Sequence, residues 1–333
     1  MHHRKVQITG GSTYFVTLPK QWAEGVGIVA GSMVALLPND SGTLLLVPDA
    51  LTRDNRCTIK LQDWDSDRFQ REIISRYIVG YDIIEIRRDR IRPEQRRLMR
   101  EIAQRLVGLE ILDETQEAVI LQAMVNVRDF PVQRTLSRIF DITNAMLADA
   151  VAAFRSHDQE LARDVLERDG DIDRLVLLVA RQFNLLLRDL LLEQDVGLSR
   201  LEFQHYHTVA DQLERVADHA GKISDATLAL NEKVLDDVAG DIDRLARDAV
   251  SVLGRAVQAF EHRDLDLANE VLKQKGSAEQ LFQITRKTAT EKQPDAAPSI
   301  SIVIDSLLRI REYAFNIAEI AVDAPSSSGA QGA

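Results

Sequence analysis

The 333 residues include a single cysteine, Cys57, so no intrachain disulfide can form and no thiolate metal site can be assembled. A reducing, cytoplasmic setting is the expectation that follows. Long apolar runs are missing as well. The Leu-rich stretch 175–192 is interrupted by Arg181, Asn184, Arg188 and Asp189, and the opening MHHRKVQITGG has no apolar segment. Neither a membrane span nor a secretory leader is expected, and any link to a membrane runs through a partner. Positive charge is also scarce. A net charge of -11 excludes a chain that coats nucleic acid along its whole length and leaves only local basic patches. Catalytic signatures are absent too: there is no G-x-S-x-G, no H-E-x-x-H and no Rossmann fingerprint, and Cys57 has no histidine near it in sequence. The chain is expected not to be an enzyme. The remaining catalytic alternative is a metal-dependent phosphohydrolase, which would want more varied ligands and a water-activating base.

What the chain has is a repeat. Residues 150–175, AVAAFRSHDQELARDVLERDGDIDRL, align without gaps on residues 256–281, AVQAFEHRDLDLANEVLKQKGSAEQL. Phe154 matches Phe260, Asp158 matches Asp264, and Leu161, Ala162, Val165 and Leu166 match Leu267, Ala268, Val271 and Leu272. A duplicated helical unit must bury its apolar stripe against copies or neighbours, so the C-terminal half is expected to be a tandem α-bundle. The apolar fraction of 45% with 5% aromatics suits Leu-, Ala- and Val-rich helices.

Two other segments precede it. Residues 4–50 are β-rich: RKVQITGG, TYFVTLP, SMVALLP and GTLLLVP are short runs closed by turn residues, with a short amphipathic turn near 20–26. Four strands in so few residues make a thin core, which a second copy would complete. Gly10 and Gly11 are not a phosphate loop, since no G-K-S/T follows, and are expected to allow a bulge or bend. Residues 56–127 alternate CTIKL, YDIIEI, GLEIL and AVILQAMV as strands with helices at 67–77 and 93–106, a small α/β connector without a catalytic motif. The expected division is therefore 1–50, 51–130, 131–235, 236–323 and a disordered tail 324–333.

In the helix around 203–227, Val209, Leu213, Val216, Ala220 and Ile223 form one apolar seam. His207, Asp211, Glu214, Asp218 and Asp225 form a second, acidic stripe. Glu214 and Asp218 are one turn apart, as are Asp169 and Asp173 on the preceding helix. If the two helices face each other, four carboxylates surround one point, the way bundles build metal sites. Oxygen donors without cysteine point to Mg, Mn or Ca, with Fe or Zn if water or His207 joins. The same pairs are compatible with a solvated face answered by Arg215 and Arg174, or with Asp169–Asp171 capping a helix after Gly170. In the second repeat Lys275 replaces Asp169, Glu279 replaces Asp173, Leu308 replaces Glu214 and Glu312 replaces Asp218. Any metal is expected in the first repeat.

ERVADHA at 214–220 and REYAFNIAE at 311–319 resemble the closing helix of PhoU, the phosphate-uptake regulator family, over about residues 131–322. The resemblance implies two three-helix bundles with E/D-x-x-x-D metal motifs, carried here by Asp169, Asp173, Glu214 and Asp218. It also implies regulation of phosphate transport and phosphate-responsive genes through contacts with a phosphate ABC transporter or sensor kinase. The departures at Lys275 and Leu308 set the second metal cluster apart. The first 50 residues, with TYFVTLPKQW and GSMVALL, resemble the AbrB/SpoVT swapped-hairpin fold, in which two chains interleave into one DNA-binding barrel. That resemblance implies a homodimer whose Arg4, Lys5 and Lys20, with His2, His3, Ser12 and Thr13 nearby, meet DNA. The expected fold is multidomain α+β: a small swapped-hairpin barrel, an α/β connector and an all-α double bundle. The expected function is a DNA-binding, phosphate-responsive regulator, and the competing reading is an adaptor in which the head serves only to dimerise.

Overall fold

The computed structural model describes residues 3–38, 42–48, 55–277 and 279–324. His2 and the tail from residue 325 therefore lie outside the described residues, as does the side chain of Glu279. The chain divides into two compact units, Met1–Asn55 and Arg56–Ala333.

The first unit consists of two hairpins and one helix. β1 (Gln7–Thr9) pairs antiparallel with β2 (Thr13–Phe15), and β3 (Val34–Pro38) pairs with β4 (Leu44–Pro48), with α1 (Lys20–Gly25) between them. Gly10 and Gly11 sit at φ 59° and 79° in the turn that joins β1 to β2. Left-handed backbone at both positions favours glycine, so the pair makes the hairpin reversal between two strands, where a bulge or bend in one strand was expected. The described residues form two separate two-stranded sheets, not a closed barrel. Within one chain most of this unit's apolar side chains stay in water: Val6, Ile8, Tyr14, Met33 and Leu36 are all exposed.

The second unit starts with a four-stranded sheet of order β5-β6-β8-β7: β5 (Arg56–Lys60), β6 (Ile83–Arg87), β7 (Leu109–Glu114) and β8 (Ala118–Ala123). β5 runs parallel to β6, and β8 runs antiparallel to both β6 and β7. The parallel pair needs a crossover, which α2 (Ser66–Val79) supplies; α3 (Pro93–Gln104) joins β6 to β7. Ile59, Ile84, Ile86, Val119 and Leu121 alternate onto one face and bury Phe69, Ile73 and Tyr77 of α2 with Met99 and Ile102 of α3. Asp65 caps α2, accepting from the Arg68 backbone at 2.7 Å, and Gly80 ends it at φ 99°.

The helical half is the repeat made visible. α4 (Val132–Ser156), α5 (Gln159–Arg188) and α7 (Arg200–Leu228) form the first bundle, with the short α6 (Leu190–Val196) between the last two. α8 (Asp236–His262), α9 (Leu265–Leu272), α10 (Glu279–Lys292) and α11 (Ala297–Asp323) form the second. One apolar core runs through both bundles and holds the seam Val209, Leu213, Val216, Ala220 and Ile223, all fully buried. The repeated aspartates have the same task. Asp158 accepts from the Glu160 and Leu161 backbone at 3.0 Å, and Asp264 accepts from Leu267 at 2.9 Å, each capping the helix that follows. The residues before them, His157 and Arg263, are both left-handed, at φ 57° and 53°. Among the described residues no helix is long and apolar enough to cross a membrane.

Candidate functional site: an acidic patch between two helices

α5 and α7 pack along much of their length, and their periodicity brings the two acidic pairs to one place. Asp169 and Asp173 lie on α5, Glu214 and Asp218 on α7. Their charges act on one another. Burial, then Asp218, Asp173 and Asp211, push Glu214 up to about 7, with Arg215 pulling the other way. Burial and Asp218 raise Asp169; burial, Asp169 and Asp218 raise Asp173, which Arg105 of the α/β region opposes. Half-buried carboxyls whose charge is not balanced are held toward the protonated form, because each ionisation adds to a field of the same sign in a poorly solvated place.

One alternative to a shared patch is decided by geometry. α5 continues unbroken through Gly170, so Asp169–Asp171 do not cap a helix there. Arg215 does ease Glu214, but its guanidinium also lies over the Tyr313 ring at 5.9 Å. Arg174 leaves its Nε buried without a hydrogen-bond partner. His207 is occupied elsewhere on the stripe: its ring stacks on Phe183 at 5.2 Å, and Nδ1 lies 3.7 Å from Asp211.

The donor set suits a hard divalent cation, since it is all carboxylate oxygen with surplus negative charge that a cation would neutralise. Among the described residues, however, no three His, Cys, Asp or Glu side chains are placed to hold one ion together. The patch is an electrostatic neighbourhood, not an assembled coordination shell.

The second repeat has gone a different way at the same position. Gly276, the counterpart of Gly170, adopts φ 78° and the helix breaks into α9 and α10 around it. The buried Arg311 of α11 donates to the Gln274 carbonyl at 3.0 Å and the Ser277 hydroxyl at 3.3 Å, and pairs with Asp248. It thus ties α11 to the segment between α9 and α10. Lys275, at the place of Asp169, pairs with Glu319 at 2.5 Å and lies 5.8 Å from the Phe315 ring. An ammonium stands where the first repeat has a carboxylate.

In the N-terminal unit Arg4, Lys5, Ser12, Thr13 and Lys20 are all exposed. Ser12 belongs to the β1–β2 turn and Thr13 opens β2, while Lys20 begins α1 and pairs with Glu24 at 3.7 Å. His3 is exposed just ahead of Arg4.

Sequence reasoning did not single out Arg181. It is 2% exposed and donates to the Tyr77 and Tyr81 carbonyls, both at 2.8 Å, and to Asp82 at 2.9 Å, with the Tyr77 ring 5.0 Å away. These contacts fasten α5 to the α/β region. The only sequence trace was its interruption of a Leu-rich run, which tells of a charge inside an apolar stripe but not of its partner.

Comparison with known proteins matches two parts of the chain to family models. The PhoU domain model matches residues 136–227 and 242–321, and the model described as antidote-toxin recognition MazE, bacterial antitoxin, matches residues 7–54. A phosphate-specific transport system accessory protein PhoU homolog of Clostridium acetobutylicum is 26% identical over 155 residues, covering 44% of this chain and 66% of that protein. PhoU from Pseudomonas aeruginosa has the same fold, with a TM-score of 0.51 and 22% identity over 57% of this chain and 93% of that one. PhoU from Streptococcus pneumoniae, the phosphate transport system regulatory protein, gives 0.48 at 21% identity over 57% and 91%.

Proposed function

Because the chain belongs to the PhoU domain family, we propose that it is a cytoplasmic, phosphate-responsive regulator. In this reading the paired heads bind DNA and the helical body receives the signal. The observation that carries it is the union in one chain of a duplicated PhoU domain with a MazE-type head. The head is proposed to act as a homodimer: its apolar side chains are mostly exposed in a single chain, and a second copy would give them a core. Pairing also brings two sets of Arg4, Lys5 and Lys20 to one duplex, so changes in the spacing of the heads alter DNA affinity.

A gel-shift titration against the DNA upstream of the chain's own gene tests this. Saturable, salt-sensitive binding, lost in the Lys5→Ala, Lys20→Ala double variant, supports the reading; no shift at low salt favours a head that only dimerises. In that second case the bundle acts as an adaptor on a phosphate transporter or sensor kinase, a reading supported by the transport-accessory role named for the clostridial relative.

We further propose that Asp169, Asp173, Glu214 and Asp218 hold a divalent metal, with Mg, Mn, Fe and Zn as candidates. What supports it is the surplus negative charge these four share. Elemental analysis of the wild type beside the Asp169→Ala, Glu214→Ala variant checks it, and equal metal content refutes it.

A further inference from the structure

The α/β region, residues 56–127, lies outside both family matches, which end at 54 and begin again at 136. In its four-stranded sheet α2 and α3 both pack on one face. Register fixes the pattern of the other face, because paired residues on neighbouring strands point the same way. β5, at one edge, contributes Arg56, Thr58 and Lys60, and β7, at the other edge, contributes Glu110 and Asp113; Arg56 is level with Glu110, and Thr58 with Asp113. All five are exposed. Between the edges Ile83 and Glu85 of β6 are each 8% exposed, and Ile120 of β8 is half-buried. The charge of Glu85 is answered within the face, with Arg87 at 2.7 Å and the Thr58 hydroxyl donating at 3.4 Å. Among the described residues no ion pair joins Arg56, Lys60 or Glu110 to another group of the chain. The face therefore has a basic edge, a middle that is apolar or neutralised from within, and an acidic edge.

We infer that this face stacks on the same face of a second copy of the chain, about a two-fold axis parallel to the strands. A surface that is basic along one edge and acidic along the other is complementary to itself, and charge selects the axis. A two-fold along the strands lays β5 of one copy over β7 of the other and keeps each level opposite itself, so Arg56 meets Glu110 of the partner subunit, twice by symmetry. A two-fold across the strands lays β5 on β5 and β7 on β7, which sets like charges against each other. Stacked sheets lie about 10 Å apart and cross at about 30°, which long side chains at the edges can span. The middle supplies Ile83 and Ile120 for burial. The same axis can serve the paired heads, which precede β5 in the chain, so the two contacts reinforce one another. Arg181 fixes the α/β region to α5, and stacking the sheets would hold two helical bodies at one spacing.

The test is thiol cross-linking of the full-length protein in a Cys57→Ala background, with a bismaleimide whose reach is below about 10 Å. Arg56 and Glu110 are exposed, so substitution at either disturbs no core. Within one chain the two edges are three strand spacings apart, about 14 Å, beyond the reagent. The Arg56→Cys, Glu110→Cys double variant should give a covalent dimer on a denaturing gel, and neither single variant should, because equivalent edges lie at opposite sides of the stack. Equal cross-linking in the single variants, or no dimer in any of the three, overturns the inference. Sedimentation of charge variants checks it without a reagent. Arg56→Glu should weaken self-association about tenfold, and Arg56→Glu with Glu110→Arg should restore it; an exchange variant as weak as the single reversal also overturns the inference. Cross-linking reads the sheet contact apart from the heads, so a cross-linked protein that shifts no DNA keeps this inference and loses the DNA-binding reading.

Discussion

Replacing Glu214 by glutamine keeps the side chain's size and removes its ability to ionise. An unfolded chain titrates this carboxyl near 4.5, whereas in the folded protein burial and Asp218, Asp173 and Asp211 push it up to about 7. Between those values the native state holds a proton that the unfolded state has released, so stability falls as pH rises through the window. Below about pH 4.5 both states are protonated and the penalty is absent; above about pH 7 it is complete. A shift of this size in a fully sequestered group corresponds to about 3 kcal/mol. Glu214 is only half-buried, and solvent screening brings the expected figure to about 1–2 kcal/mol. Urea unfolding of wild type and Glu214→Gln across pH 4.5 to 8 measures it. The two stabilities should diverge with rising pH, the variant becoming the more stable by about 1–2 kcal/mol at pH 8, and added salt should narrow the gap. Parallel curves at all pH values would mean that the four carboxyls do not share a field, and the patch described here would dissolve into separate surface acids.

Substitutions at three further positions probe how the body is held together. Arg181→Ala leaves two carbonyls and Asp82 without their buried donor, and is expected to cost about 2–4 kcal/mol, read as a lowered urea midpoint. Hydrogen exchange should rise first in α2, because that helix loses its anchor on α5. At the α8–α9 turn, Arg263→Gly and Arg263→Ala both lose the 2.6 Å ion pair to Glu202, but only glycine relieves the left-handed backbone; the glycine variant should be the more stable by about 1 kcal/mol. A Cβ on Gly108 would meet Val125 Cγ2 at 1.8 Å, at φ 68°, so Gly108→Ala should destabilise by more than about 2 kcal/mol and lower the thermal midpoint.

Much of the candidate site was legible because helix periodicity is local. The spacing of Asp169 with Asp173 and of Glu214 with Asp218 places each pair on one face before any partner is known. The two aspartates of the repeat, Asp158 and Asp264, announce their helices in the same way, since a cap needs only its own backbone. Arg181 and Arg105 were not legible as a latch and a counter-charge. Their roles depend on residues about a hundred or about seventy positions away, and a charge pattern along one segment carries no record of which segment will cover it.

The sequence by itself determined the repeat, the helical faces and the four runs of the head, because each is written in spacing and turn chemistry. Only the tertiary structure decided what became of two glycines aligned by the duplication. Gly170 continues a helix, while Gly276 lies in the turn between α9 and α10. Glycine permits both conformations, so its identity alone does not make the choice, and the surroundings of the two positions differ. On α11 Arg311 donates to the Gln274 carbonyl and the Ser277 hydroxyl at the break; on α7 the aligned position is Ala217, too small and too apolar to do so.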